Sequence, residues 1–481
     1  MRSVSAALAE ALEHHQAGRL SQAEAIYQQI LRQEPDHADA WHMLGVIAAQ
    51  QGQPDRALSS IARAIRLNPA PPFYHNNLGN VLHEMNRFTE ALLCYEEAIR
   101  LDPSYAEAHS NLANTLNALG RFEEALSHHL EAVRLKPDFA SGFSSLGGTL
   151  RGQGMYQEAL ACYEQALALN PGDADAHAGR ATLWLLTGDF QRGWLEYEWR
   201  WMAKGFAGRR IEGPLWDGQP AAGQRILLHA EQGLGDTIQF IRYAPLVKSM
   251  GATVLLECQP RLVPLLRHTP GIDQVVAAGE PLPYYDAHLS LLSLPRVFKT
   301  TLENIPSVVP YLRAPEEKVR AWRERLASDG RRKVGLVWAG NPEYKDDRQR
   351  SMGLSEFAPL AQVSGVRFFS LQRGDEAATR PPEGPLIESL ESEVGEITDT
   401  AAAILGLDLV ISVDTMVAHL AGALGVPVWT LLAHRADWRW LLDREDSPWY
   451  PMMRLFRQPV TGQWRPVMER VAEALEHAAC Q

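Results

Sequence analysis

The chain has 481 residues, 46% of them hydrophobic and 22% charged, enough apolar material to bury cores along the whole length and too much for a disordered chain. Lysine and arginine total 46 against 58 aspartates and glutamates, a net charge of −12 that opposes attraction to phosphate backbones and excludes nucleic acid and anionic membrane as expected partners. The cysteines, Cys94, Cys162, Cys258 and Cys480, fall in no C-x-x-C or Cys/His spacing, so neither structural zinc nor a disulfide framework is expected. The N-terminal stretch carries charge in an amphipathic pattern and has no apolar signal region, and the longest apolar stretch, 416–433, is interrupted by His419 and Pro427. The expectation is a cytoplasmic protein without membrane insertion.

Prolines recur at 35, 69, 103, 137 and 171, a spacing of 34 each time. Alanines keep the same register at 23, 57, 91, 125 and 159, and again at 64, 98, 132 and 166. Leu44-Gly45, Leu78-Gly79, Leu112-Ala113 and Leu146-Gly147 mark the first helix of each unit, where a small residue lets the second helix approach closely. This 34-residue helix-turn-helix period resembles the tetratricopeptide repeat over residues 1–171, an α-solenoid. A sixth, degenerate unit follows within 172–223, with one helix over 174–188 and a second over 190–201 that ends in Trp194, Tyr197, Trp199 and Trp201; core packing accounts for these aromatics. Helix capping accounts for the acidic pair Asp173 and Asp175.

Successive first helices line the concave face of such an array. Asn77 and Asn111 take equivalent places there, with Asn80 and Asn114 one turn on. A carboxamide both donates and accepts, so the row either grips the backbone of an extended acceptor peptide or satisfies neighbouring groups of the superhelix. The Asn-Leu-Gly register resembles the repeats of O-linked N-acetylglucosamine transferases, which implies an acceptor groove at these four asparagines; Met43 and Ser145 interrupt the ladder.

From Arg225 the pattern changes to short apolar runs at 226–228, 254–256, 334–338, 368–371, 409–411 and 426–432, with helical stretches between several of them. Strands alternating with helices predict parallel sheets in two blocks, 224–313 and 314–481, with a ligand cleft between them. Three strings carry chemistry. In the first, a strand leads through Gly233-Leu-Gly235 into Asp236 at the start of a helix. The glycines let a ligand approach the backbone, and Asp236 is either a helix cap or a base. Ile238 occupies the third glycine position of a dinucleotide fingerprint, so that reading is set aside. In the second, the strand 334–338 ends at Gly340-Asn341 and hands over to Lys345, Arg348 and Arg350, a local reversal of sign suited either to solvent or to a diphosphate. In the third, 408–413 runs into Asp414-Thr415-Met416 and a helix carrying His419.

The string Asp414-Thr-x-x-x-His419-Leu-Ala-x-Ala-Leu-Gly-x-Pro, with Gly235-Asp236 after the first strand, resembles the ADP-heptose:lipopolysaccharide heptosyltransferase family over residues 224–481. That resemblance implies a GT-B fold of two Rossmann-like blocks, the first facing the acceptor and the second the nucleotide sugar. It implies an inverting transfer without metal or other cofactor, in which Asp236 is the base, Lys345 a phosphate-binding residue, and Asp414 and His419 donor contacts. Gly233, Gly235, Gly340, Asn341, Arg348, Arg350, Gln372, Thr415 and Met416 complete the expected donor site. The expected function is transfer of a sugar from a nucleotide-diphosphate donor to a protein or glycan acceptor recruited partly by the repeats. The alternative is a non-catalytic repeat scaffold carrying a degenerate transferase domain.

Overall fold

The computed structural model describes residues 3–206, 209, 211–327, 330–342, 347–374 and 384–479, with the backbone alone at Arg348 and Ala479. It divides into two compact units, Met1–Gly179 and Arg180–Gln481.

The first unit begins with five helix pairs, α1–α10: Val4–Gln16 with Leu20–Gln33, Ala38–Gln50 with Pro54–Leu67, Pro72–Glu84 with Phe88–Leu101, Ala106–Ala118 with Phe122–Leu135, and Ala140–Gly152 with Tyr156–Leu169. Each second helix stops two residues before the periodic proline, because the residue preceding proline is pushed out of the helical region. Asn68, Asp102 and Asn170 are extended there. Within each pair the turn needs a left-handed residue, supplied by Gly18, Gly52, Asn86, Gly120 and Gly154, all with φ between 59° and 79°. Asparagine is the one side chain in that column, the type that tolerates this conformation best after glycine.

The small residues of the first helices have named partners. A β-carbon on Gly79 would lie 2.6 Å from the Tyr95 ring and one on Gly147 2.8 Å from the Tyr163 ring, while Gly45 is closed off by Ile61. In the fourth pair the corresponding residues are Ala113 and His129, both fully buried, and neither ring nitrogen of His129 has a hydrogen-bond partner among the described residues.

The division between units falls inside α11 (Ala174–Leu186), inside the segment that the repeat pattern reads as a sixth unit. Asp173 Oδ1 accepts the Ala176 N–H at 3.0 Å at the start of α11. α12 (Phe190–Glu196) belongs to the second unit, where Trp194 is buried against the rings of Phe240, Trp438 and Trp449. Trp199 and Trp201 are half-buried.

The second unit holds two wholly parallel sheets. β1–β4 (Arg225–His229, Thr253–Cys258, Gln274–Ala277, Ala287–Ser290) lie in the order β3-β2-β1-β4. β5–β10 (Arg332–Val337, Val366–Ser370, Ile387–Ser389, Leu409–Val413, Val428–Leu432, Met453–Arg457) lie in the order β10-β9-β8-β5-β6-β7. Counted from its own first strand the second sheet reads 3-2-1-4-5-6, the doubly wound order, and the first reads 3-2-1-4. In each the winding reverses beside the first strand, between β1 and β4 and between β5 and β8. Ligands of such sheets bind in the crevice beyond the carboxyl ends of the strands at that reversal. Val334, Leu336, Leu409, Ile411 and Val413 are fully buried, as strands covered on both faces must be.

Candidate functional site

β1 ends at His229 and the chain reaches α13 (Leu234–Phe240) through Gly233, its N-cap. Asp236 is the third residue of this helix, and its Oδ2 accepts the Gly233 N–H at 2.8 Å. The other oxygen, Oδ1, accepts from Arg439 Nη2, which comes from a 3-10 turn (Trp438–Trp440) beyond β9. Arg439 is held further by Asp437 Oδ1 at 2.8 Å, by Gln239 Oε1 at 2.8 Å, and by the Trp438 ring 4.4 Å beneath the guanidinium. Burial pushes the Asp236 carboxyl above its ordinary range, and the Arg439 charge opposes that push. Asp236 thus caps α13, and its carboxylate, 19% exposed, stands past the carboxyl end of β1.

The third string meets the first at α14 (Met416–Ala423). Gly235 lies so close to this helix that a β-carbon there would stand 2.8 Å from His419 Cδ2, which is why the position excludes a side chain. Asp414 follows β8, Thr415 is the N-cap of α14 with its hydroxyl 3.0 Å from Ser412 Oγ, and Met416 is the first helical residue. The Trp440 Nε1–H donates to Asp414 Oδ2 at 2.8 Å, and the same indole stacks on His419 at 5.3 Å between ring centres. His419 Nδ1 is 2.9 Å from the Tyr450 hydroxyl. Burial, with Asp437 nearby, pushes Asp414 up to about 6, against the hydrogen bond from Trp440 and the charges of Arg350 and Arg439. His419 is held well below its ordinary value by burial and by Arg439, Arg242 and Arg350, so it is neutral at pH 7.

The second string contributes from the other side of the reversal. The Gly340 N–H donates to Ser351 Oγ at 2.8 Å, that hydroxyl donates to Asp347 Oδ2 at 2.7 Å, and Arg350 Nε donates to Asp347 Oδ1 at 2.9 Å. Asp347 and Arg350 fill the space where a side chain at 340 would go. Asn341 is exposed, Lys345 lies outside the described residues, and of Arg348 only the backbone is described. Gln372 Oε1 accepts the N–H groups of Trp338 and Ala339 at 3.2 and 3.0 Å, so its carbonyl end fixes the exit of β5.

The structure thus brings Gly233, Gly235 and Asp236, at the start of α13, together with Asp414, Thr415, Met416 and His419, at the start of α14, with the charge of Arg350 acting on Asp414. Arg439, Asp437, Trp440, Gln239 and Tyr450 belong to this group as well and escape a motif reading. Asp437, Arg439 and Trp440 have one signal in the chain, the string Asp437-Trp-Arg-Trp440, a cation between two indoles just past a strand. In the repeat unit, Asn77 Nδ2 lies 3.0 Å from His42 Nε2 and Asn111 Nδ2 donates to Asn76 Oδ1 at 3.0 Å, each bond joining successive first helices. Asn80 Oδ1 accepts from the Tyr95 hydroxyl at 2.8 Å, and Asn114 is exposed. Among the described residues no group of three His, Cys, Asp or Glu is placed to hold a metal ion, and no helix is long and apolar enough to cross a membrane.

Comparison with known proteins finds tetratricopeptide repeat models at residues 8–72 and 104–172 and a TPR repeat model at 79–118. Protein FlbA of Caulobacter vibrioides (strain ATCC 19089 / CIP 103742 / CB 15) is 31% identical over 332 residues, 62% of this chain and 54% of that protein. The chain spans about half the length of this curated relative. Among solved structures, MamA is 22% identical over 34% of this chain and 95% of its own, with a TM-score of 0.30. Pseudomonas aeruginosa PilF is 21% identical over 40% and 95%, with a TM-score of 0.37. YrrB, a TPR protein with an unusual peptide-binding site, is 22% identical over 35% and 88%, with a TM-score of 0.30. The helix pairs of the first unit are tetratricopeptide repeats.

Proposed function

We propose that the chain is a glycosyltransferase of the GT-B type, moving a sugar from a nucleoside-diphosphate donor to a protein or glycan acceptor that the repeats help to recruit. The observation that carries this reading is the close approach of α13, which bears Asp236 paired with Arg439, to α14, which bears His419 and follows Asp414. In the proposed reaction Asp236 takes the proton of the acceptor hydroxyl, whose oxygen forms a bond to the sugar's anomeric carbon as the bond to the diphosphate breaks. The electron pair leaves with the diphosphate. One displacement inverts the anomeric centre. The amides opening α14 and the charge of Arg350, with Lys345 and Arg348 from the same stretch of chain, offset the charge that develops on the leaving group without a metal ion. Asp414 and neutral His419 hold the donor.

A screen of nucleotide sugars by thermal shift, with turnover followed in the presence of chelator, tests this. A cognate donor at 100 times its Kd adds about 2.7 kcal/mol to stability, which raises Tm by roughly 4 °C for a unit of this size. Turnover is expected to survive chelation. Absence of any shift at millimolar nucleotide sugar would leave the scaffold reading in its place, and a chelator-sensitive rate restored by a divalent ion would contradict the charge compensation given above.

A chain beginning at Asp173, which keeps the α11 cap, is expected to bind donor as the full chain does. It is expected to use acceptor about tenfold less well or worse, because recruitment by a second site acts through effective concentration. Equal acceptor kinetics in the folded short chain would remove the repeats from acceptor selection.

A further inference from the structure

Asp236 and Arg439 stand 203 residues apart and follow strands of different sheets, yet they form a mostly buried ion pair. The guanidinium does not depend on that pair for its place. Its Nη1 is fixed by Asp437, its Nε by Gln239, and its face by Trp438, so the remaining Nη2 is aimed at Asp236 before any ligand arrives. Among the described residues Asp236 has a single further hydrogen bond, from the Gly233 N–H.

We infer that Arg439 is a positioning residue for the base proposed above: rigidly held by the second block, it orients the Asp236 carboxylate of the first and keeps it an anion, so that the base is complete only while the two blocks are together. This rests on reading Asp236 as the base. The surroundings make the dependence strong. Burial opposes the charged carboxyl, and Asp437 on the same turn as Arg439 and Glu231 before α13 both oppose it too. Arg200 pairs with Glu231 through two hydrogen bonds and damps that contribution. From α14, His419 is neutral and faces Gly235, and Asp414 is bonded to Trp440. Besides Arg439, the Gly233 N–H and the N-terminal end of α13 favour the anion.

The test uses the full chain labelled with carbon-13 at the aspartate carboxyls, the Asp236 signal being identified by difference from D236N. The wild-type signal should titrate below pH 7. R439Q should raise its midpoint by more than about one pH unit, a tenfold change in proton affinity. R439K, which keeps a charge but loses the planar fork, should raise it by less. If R439Q does not fold, R439K alone decides. A wild-type midpoint above 7, or an unmoved midpoint in a folded Arg439 variant, overturns the inference. The titration needs no substrate, so its failure is separable from that of the transferase reading, which falls if neither ADP nor UDP nor their sugar conjugates bind.

Discussion

Replacing Asp236 with Asn is expected to leave the chain folded and donor affinity unchanged while transfer falls by about 10²-fold or more. Asn can still accept the Gly233 N–H, because a carboxamide oxygen caps a helix about as well as a carboxylate. The lost ion pair leaves Arg439 with Asp437 and Gln239, so the cost should be about 1–2 kcal/mol rather than the 3–5 of a wholly orphaned buried charge. What Asn cannot do is take a proton. Donor affinity is spared because the donor's diphosphate is assigned to α14 and the Gly340–Arg350 stretch, on the other sheet. Measuring Tm, donor Kd and transfer rate on the one variant separates the roles. Near-normal transfer with a lowered Tm would return Asp236 to capping and ion pairing alone.

How far the chain announces this arrangement depends on how local each signal is. The 34-residue period is repeated five times and fixes the helix pairs, their small-residue contacts and their proline stops. The six apolar runs are strands, and each is an interior strand or the start of one: β1, β2, β5, β6, β8 and β9. The four that no apolar run reveals, β3, β4, β7 and β10, are the four sheet edges. An edge strand has a neighbour on one side, is short, and tolerates His288, Glu388 or Arg454, so its hydrophobic signature fades. The same distinction runs through the site. Gly235-Asp236 and Asp414 to His419 are contiguous strings whose spacing has meaning, whereas Arg439 gains its meaning from a carboxylate 203 residues away. The place where one unit ends is hidden for a related reason, since the sixth pair keeps the repeat's left-handed glycine, Gly188 at φ 87°, while Trp194 packs with the second unit.

Between pH 7 and 4.5 the repeat unit is expected to lose roughly 5 kcal/mol of stability through two histidines. Burial lowers both His42 and His129 to about 4, from 6.5 in the unfolded chain. A base whose folded value is depressed stays neutral in the fold while the unfolded chain takes up its proton. Its contribution is therefore intact above pH 6.5, declines as pH falls from 6.5 to 4, and is constant below. For a chain ending at Gly188 the corresponding fall in Tm is about 10–20 °C. The repeat columns supply the control. His129 stands where Tyr95 and Tyr163 stand in the neighbouring pairs, and Ala113 where Gly79 and Gly147 make room for those rings. Tyr95 donates to Asn80; Asn114, the residue 34 positions on, is exposed, and His129 has no hydrogen-bond partner among the described residues. H129Y alone should overpack against the Ala113 methyl by about 1–3 kcal/mol. The double variant A113G/H129Y should restore the ring-on-glycine contact, give the new hydroxyl Asn114 as its acceptor, and remove one of the two protons, halving the pH dependence. An acid-induced fall in Tm that is absent in the parent, or unchanged in a folded double variant, would show that His129 is not the titrating liability its burial makes it.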